Sequence, residues 1–358
     1  MRKTGYKHIV FAIFAIAVAS MPILLSNGVI KSNPLVVFTG KCVAFAIAAI
    51  GVDLIWGFTG ILSLGHGIYF ALGGYGMAMY LKLQATGGRI TEFMHTGGMT
   101  ELPLIWRPFQ SLPIALILMI AVPAVLAGVL GYFIFKKRVK GVYFSIISQA
   151  LTWAAYSMFI ALSPYTNGNV GITEIQSLFG SIRGPKNQGN MFALFYAALA
   201  ALILVYALCS WLISTKFGKT LEAIRDGENR TYFSGYRVSR YKNFVYVLSA
   251  ILAAIGGAIF VNFNGSITPS QMTIAYSINL VVWVAIGGRG SIIGAVLGAF
   301  LVNMCEYNLS SGGLAETWQF IIGGLFCVTI LFFRRGIIGL FTEQIPNMLK
   351  SSRERGRG

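Results

Sequence analysis

Long apolar runs separated by short polar stretches fill this chain from one end to the other. Runs near 8–26, 35–56, 60–81, 112–135, 141–162, 190–213, 243–263, 273–287, 291–309 and 316–333 approach the ~20 residues a helix needs to cross a bilayer. The eighth is short, close to a half-helix. The ~10-residue alternating segments of a membrane barrel are absent. The pattern predicts an all-α polytopic membrane protein of about ten transmembrane helices. One stretch departs from an ordinary span: GVDLIWGFTGILSLGHGIYFALGGYGMAMY, from Gly51 to Tyr80, is apolar enough for lipid yet rich in glycine. It carries Asp53, Ser63 and His66 at membrane depth, where polar and ionisable groups are expensive and mark function by default. Irregular backbone there requires burial in protein or a water-filled cavity, so the stretch reads as a broken helix on a route for something polar.

Composition agrees. Of 358 residues, 56% are hydrophobic and only 11% charged, against about 25% charged in a soluble domain, which leaves little room for a globular domain. The net charge of +17 raises nucleic acid as a partner, but the basic residues follow the membrane. With the N-terminus inside, 21 lysines and arginines fall in inner segments and 6 in outer ones, which the positive-inside rule reads as N-in, C-in, with no nucleic acid implied. The excess charge also attracts acidic lipid headgroups. Arg2, Lys3 and Lys7 before an apolar core imitate a signal peptide; among so many later spans, an uncleaved first helix (1–34) is expected. The four cysteines all lie in apolar runs and read as inert thiols. Two outer loops are long, about 83–111 and 163–189, and TNGNVGITEI in the second suits a structured turn. The tail 341–358 is basic and polar.

Several residues are candidates for function. In the fifth span Ser145, Ser148, Gln149, Thr152 and Tyr156 share one helical face. Uncharged hydroxyls and amides suit a neutral polar solute, or else join helices by hydrogen bonds. Ser63, His66 and Tyr69 share a face if their segment is helical; His66 is then a solute contact, a proton relay or a packing residue, packing or gating being favoured because acidic partners are few. Asp53 either faces the pathway or binds backbone amides of the glycine turn that follows it. Gly290, Gly294 and Gly298 form a small-xxx-small surface for close helix packing, as do Ser249, Ala253 and Gly257. IWGFTGILS and VAIGGRGSI echo one another as glycine turns between apolar helices. The loop 214–242 is the only large charged inner element. Its TLEAIRDGENRTYF segment predicts a short amphipathic helix with Leu221, Ile224 and Phe233 as anchors, bounded by Gly218 and Gly235; Glu222, Arg225, Asp226 and Glu228 give it the mixed charge of a docking surface. No Walker A pattern occurs, so any ATP hydrolysis belongs to another subunit. No metal-ligand spacing or nucleophile–base pair appears, so neither a cofactor nor an enzyme activity is expected.

The runs DLIWGFTGILSLGHGIYFALGGY, RVKGVYFSIISQALT, GNVGITEI, AIRDGENR and VVWVAIGGRGSIIGA, in this order within about 35–340, resemble the permease subunits of branched-chain-amino-acid-type ABC importers. Within that family Asp53, Trp56, Ser63 and His66, with GVYFSIISQALT and VWVAIGGRG, are similar to the urea-importing type; Asn279 departs from it, since that type often has glutamate there. The resemblance implies a transmembrane permease domain over 35–340, a heterodimer with a paralogous permease, two cytoplasmic ATPase subunits and a periplasmic substrate-binding protein. It also implies a bacterial cytoplasmic membrane, urea or a similar small neutral amide as cargo, with amino acids as the alternative, and AIRDGENR as the segment that couples to the ATPase.

Overall fold

The computed structural model describes residues 2–27, 33–137, 139, 141–180 and 187–310, and beyond these only 320, 321, 323, 324, 327 and 336–339. The predicted span 316–333 lies mostly, and the tail 341–358 wholly, outside the described residues. The described chain is helical. Two short helices, α1 (Arg2–Ala19) and α2 (Met21–Ser26), form one apolar run broken at Ser20, with Pro22 in the first turn of α2. Then come α3 (Asn33–Thr59), α4 (His66–Ala85), α5 (Glu92–Thr96), α6 (Leu112–Lys136), α7 (Gly141–Ala161) and α8 (Ser163–Thr166). They are followed by α9 (Gln188–Ser214), α10 (Lys216–Phe233), α11 (Val238–Asn264), α12 (Ile274–Gly287) and α13 (Ile292–Ser310). Seven stretches among the described residues are long and apolar enough to cross a membrane: 7–26, 34–59, 112–136, 141–161, 188–214, 238–264 and 292–310.

The bundle is built around α3, α4 and α11. A helix apolar on every side belongs in the interior, and from Cys42 to Ile55 nearly every residue of α3 is fully buried. Glycine makes the central packing close: a Cβ at Gly73 would overlap the backbone of Ala254, and one at Gly257 the backbone of Phe70, so α4 and α11 touch main chain to main chain. The opposite side of α11 packs on α3, where Gly256 meets Ala44 and Ala48. The helices α1, α6, α7 and α9 surround this centre and expose apolar side chains such as Ile117, Trp153 and Leu204, as a lipid-facing surface requires. Outside the helices, Ile172 and Ile267 exchange N–H···O bonds of 2.9 Å, joining the 167–180 loop to the one after α11.

The predicted span 60–81 differs from what forms. The helix α4 starts only at His66, and residues 60–65 are non-helical. Gly60 has φ +79° and turns the chain away from α3, and Gly65 opens α4.

Candidate functional site

The non-helical segment 60–65 directly follows the span that ends at Thr59, and where its polar backbone groups are shut off from water they need partners. The hydroxyls of α7 supply them. Ser145 Oγ donates to the Leu62 carbonyl at 2.7 Å, the Leu64 N–H donates to Ser148 Oγ at 3.1 Å, and Thr152 Oγ1 donates to the Leu64 carbonyl at 3.3 Å. The polar stripe of α7 is thus a rack that holds the broken backbone, with Ser148 and Thr152 buried. Gln149 and Tyr156 are half-buried and take no part in it.

Above the break lies a buried hydrogen-bonded cluster. The imidazole of His66, the first residue of α4, is hydrogen-bonded through Nε2 to Ser249 Oγ of α11, and Ser249 Oγ donates to the Gly51 carbonyl of α3 at 2.6 Å. Because the serine proton goes to Gly51, Nε2–H is the donor to Ser249 and Nδ1 is left as the lone-pair atom; Nδ1 has no partner among the described residues. Tyr69 and Tyr246 join hydroxyls at 2.6 Å, each edge-on to His66. Gly51 lies eight residues before the end of α3, about 12 Å at 1.5 Å per residue, which puts the cluster deep in the bilayer. The N-terminus of α12 arrives at the same place, where the Gly67 N–H donates to Ser277 Oγ at 3.1 Å. Asp53, Ser63, His66, Tyr69, Ser148 and Thr152 are all buried inside the protomer. The expected common helical face of Ser63, His66 and Tyr69 does not form, because Ser63 precedes the first turn of α4.

At the end of α3 three elements meet. Asp53 Oδ1 accepts from the Gly290 N–H at 2.7 Å, so it binds the second glycine turn, not the one that follows it in sequence. Arg289 Nε donates to the Trp56 carbonyl at 3.1 Å with its guanidinium over the indole, and Arg225 Nη1 of α10 donates to the Gly57 carbonyl at 3.0 Å. Two arginines therefore cap the carbonyl end of α3, where the helix dipole favours positive charge. The two echoing glycine turns lie against each other: a Cβ on Gly57 would strike both the Asp53 carboxylate and the Gly290 nitrogen. Gly290 itself is in the turn, at φ +77°, before α13 begins. Only Gly294 and Gly298 of the predicted triad lie on a helix, where they pack on Gly287, Gly288 and Trp283 of the α12 hairpin.

The charged loop is the amphipathic helix α10, longer than expected and bent where Gly227 leaves helical geometry. Leu221 and Ile224 are its buried anchors, but Phe233 is 85% exposed. Gly218 is inside the first turn, pressed on the backbone of Ile213, while Gly235 turns the chain at φ +88°. Glu222 faces solvent. Arg225 pairs with Asp226 at 2.9 Å and through this hydrogen bond and its charge holds the Asp226 carboxyl below the usual carboxylate range. Glu228 pairs with the buried ammonium of Lys242 on α11 at 2.6 Å. Sequence reasoning missed the bend at Gly227, the roles of Ser277 and Lys242, and the paired arginines. The glycine of AIRDGEN was the one available signal for the bend.

Comparison with known proteins identifies the family. No solved structure gives a significant match. Residues 35–330 match the family model described as branched-chain amino acid transport system / permease component. The "High-affinity branched-chain amino acid transport system permease protein LivM" of Salmonella typhimurium is 24% identical, over 98% of this chain and 78% of its own length. Its counterpart of the same name in Escherichia coli strain K12 is 24% identical over 96% of this chain and 77% of its own length. The "Ribose import permease protein RbsC" of the same strain is 26% identical over 57% of this chain and 63% of its own length. With the family model covering most of the helical bundle, the broken helix and the α10 junction included, the chain belongs to the branched-chain amino acid transport system permease components.

Proposed function

We propose that this chain is a permease subunit of an ATP-binding-cassette importer that moves urea, or a similar small neutral amide, into a bacterial cell through the cytoplasmic membrane. It works as a heterodimer with a paralogous permease, two cytoplasmic ATPase subunits and a periplasmic binding protein. The unit 35–340 is its transmembrane domain, preceded by an N-terminal helix in 1–34 and followed by the basic tail; ten spans leave both termini inside. Family membership supports the permease role. One observation carries the mechanism: Arg225 of the charged helix α10 grips the Gly57 carbonyl directly beneath the broken segment 60–65. A push on α10 by an ATPase reaches the end of α3 and, through Asp53 and Arg289, the 288–290 turn. Glu222, Asp226 and the exposed Phe233 are the surface for that contact, Gly218 its packed pivot and Gly235 its hinge; Glu228 keeps the far half tied to the bundle.

Asp53, Ser63, His66 and Tyr69, all buried in or beside the broken segment, shape the route from within, and Ser145, Ser148 and Thr152 hold its backbone. Gln149 and Tyr156 are the stripe members left to face a solute. The uncharged character of these groups favours a neutral cargo with bonds weak enough for release. A second reading, amino acids as cargo, is favoured by the two relatives named for branched-chain amino acid transport. ATP-dependent uptake into proteoliposomes of the complete complex, with labelled urea and leucine in parallel, decides between them. Urea uptake that needs ATP and the binding protein, with leucine flat, supports the first; the reverse supports the second. ATP-independent flux through this chain alone overturns the importer reading in favour of a channel or secondary carrier.

A further inference from the structure

At the end of the bundle that carries α10, a cavity of about 290 Å³ opens between the last turn of α6, the second half of α10 and the first turn of α11. Lys136, Arg237 and Arg240 bring three cations to its lining, alongside the apolar Phe135 and Val238. The single carboxylate in the lining, Glu228, is occupied by Lys242. The Lys136 ammonium has neutral company: it donates to the Tyr132 hydroxyl at 2.8 Å and lies over that ring. Arg237 and Arg240 have no carboxylate partner among the described residues. The cavity is therefore a concave site of excess positive charge, and the positive end of the α11 helix adds to it.

Depth identifies the anion. At 1.5 Å per residue, the 25 residues of α6 extend about 37 Å, longer than the ~30 Å hydrocarbon core, so the terminal Lys136 stands at headgroup level. The first turn of the 27-residue α11 stands there too. On the same two helices, exposed Val129 and Phe133 of α6 and Phe244 of α11 offer apolar surface toward the bilayer. A free phosphate would use the cations alone, whereas a lipid uses both surfaces.

We propose that this cavity holds the phosphate headgroup of an anionic phospholipid, whose acyl chains lie along α6 and α11, and that the lipid braces the second half of α10 against the bundle. Binding stands on the cavity and its charges; the consequence for coupling rests on the importer reading above.

The test uses the complete complex in phosphatidylcholine nanodiscs with and without phosphatidylglycerol, and native mass spectrometry to read retained lipid. The wild type is expected to retain phosphatidylglycerol in preference to phosphatidylcholine. The double variant Arg237→Gln/Arg240→Gln is expected to weaken retention about thirtyfold, two cations at the strength of membrane-surface lysines and arginines. A double variant with two cations removed from α10 instead, Lys219→Gln/Arg230→Gln, is expected to retain it fully. Should the double variant not fold, Lys136→Gln alone is expected to give a smaller loss in the same direction. Equal retention by the wild type and cavity variants overturns the proposal. So does displacement of phosphatidylglycerol by inorganic phosphate alone, which would make the cavity a free-anion site. Loss of ATPase subunits from the cavity variant with unchanged lipid retention also overturns it, assigning the cations to a partner's carboxylate. Retention is read without transport, so a failed uptake assay leaves this result separate.

Discussion

Asp53 on α3 holds a turn that lies 237 residues further along the chain. Its Oδ1 accepts the part-buried Gly290 N–H, and since a fully buried orphaned donor costs about 1–3 kcal/mol, the lower end of that range applies here. Asp53→Leu is expected to lower the thermal midpoint of the detergent-solubilised protein by that loss, while Asp53→Asn, which keeps an acceptor oxygen, recovers most of it. If leucine is as stable as the wild type, the bond to Gly290 carries no structural weight. Ser148 allows the same reasoning: Ser148→Ala orphans the Leu64 N–H, whereas Ser145→Ala removes only a donor to the Leu62 carbonyl. The first is expected to destabilise by about 1 kcal/mol more than the second, and thermal unfolding of the two single variants measures the difference. The sequence marks both residues, since a polar side chain in an apolar run must be satisfied. It does not say by what: the amide that Asp53 finds belongs to the distant turn, and only the folded bundle brings that turn close.

Among elements, seven of the ten expected spans have counterparts among the described residues, because hydropathy and length are local properties; 60–81 and 273–287 do not reach that standard, and 316–333 lies mostly outside the described residues. The break between α3 and α4 was half legible. Glycine and polar residues announced irregular backbone, but three-residue spacing suggested one helical face for Ser63, His66 and Tyr69. The chain instead straightens before His66, and the α7 hydroxyls make that conformation tolerable. The spacing of the α7 stripe was readable, but its partner was not, because a helical face does not name the element it meets. Phe233 shows the converse error: an apolar residue on an amphipathic helix is expected inward, yet the bend at Gly227 leaves it outside. Glycine on α13 gives an element-scale prediction. A side chain at Gly294 would meet the Gly287 and Gly288 backbone of α12, and overpacking a closed helix pair has no flexible neighbour to absorb it. Gly294→Leu is expected to remove most folded protein from the membrane fraction, read by size-exclusion chromatography of a fluorescent fusion; Gly189→Leu, where nothing crowds the position, is expected to leave it unchanged.

At the scale of the molecule, the end of α3, the 288–290 turn and α10 form one basic junction, and its side of the membrane decides whether an ATPase can reach it. Arg225→Glu puts a carboxylate beside Asp226 and against the carbonyl end of α3, where the helix dipole repels it. ATP-driven uptake is expected to fall at least tenfold, about 1.4 kcal/mol of coupling, with normal membrane insertion and partial rescue in Arg225→Lys. Undiminished uptake by Arg225→Glu would remove α10 from the coupling path. Orientation has its own test, because Phe233 and Leu104 are both highly exposed and sit in different inter-helix segments, one in α10 and one between α5 and α6. Between them the chain crosses through α6, α7 and α9, three spans, so the two sites must lie on opposite faces whatever the orientation. In whole cells of cysteine-substituted variants (Phe233→Cys and Leu104→Cys, with the native cysteines replaced), an impermeant maleimide is expected to label only the Leu104 site. Labelling of the Phe233 site alone would place the basic junction outside, against the positive-inside rule, and would take α10 out of reach of any cytoplasmic ATPase.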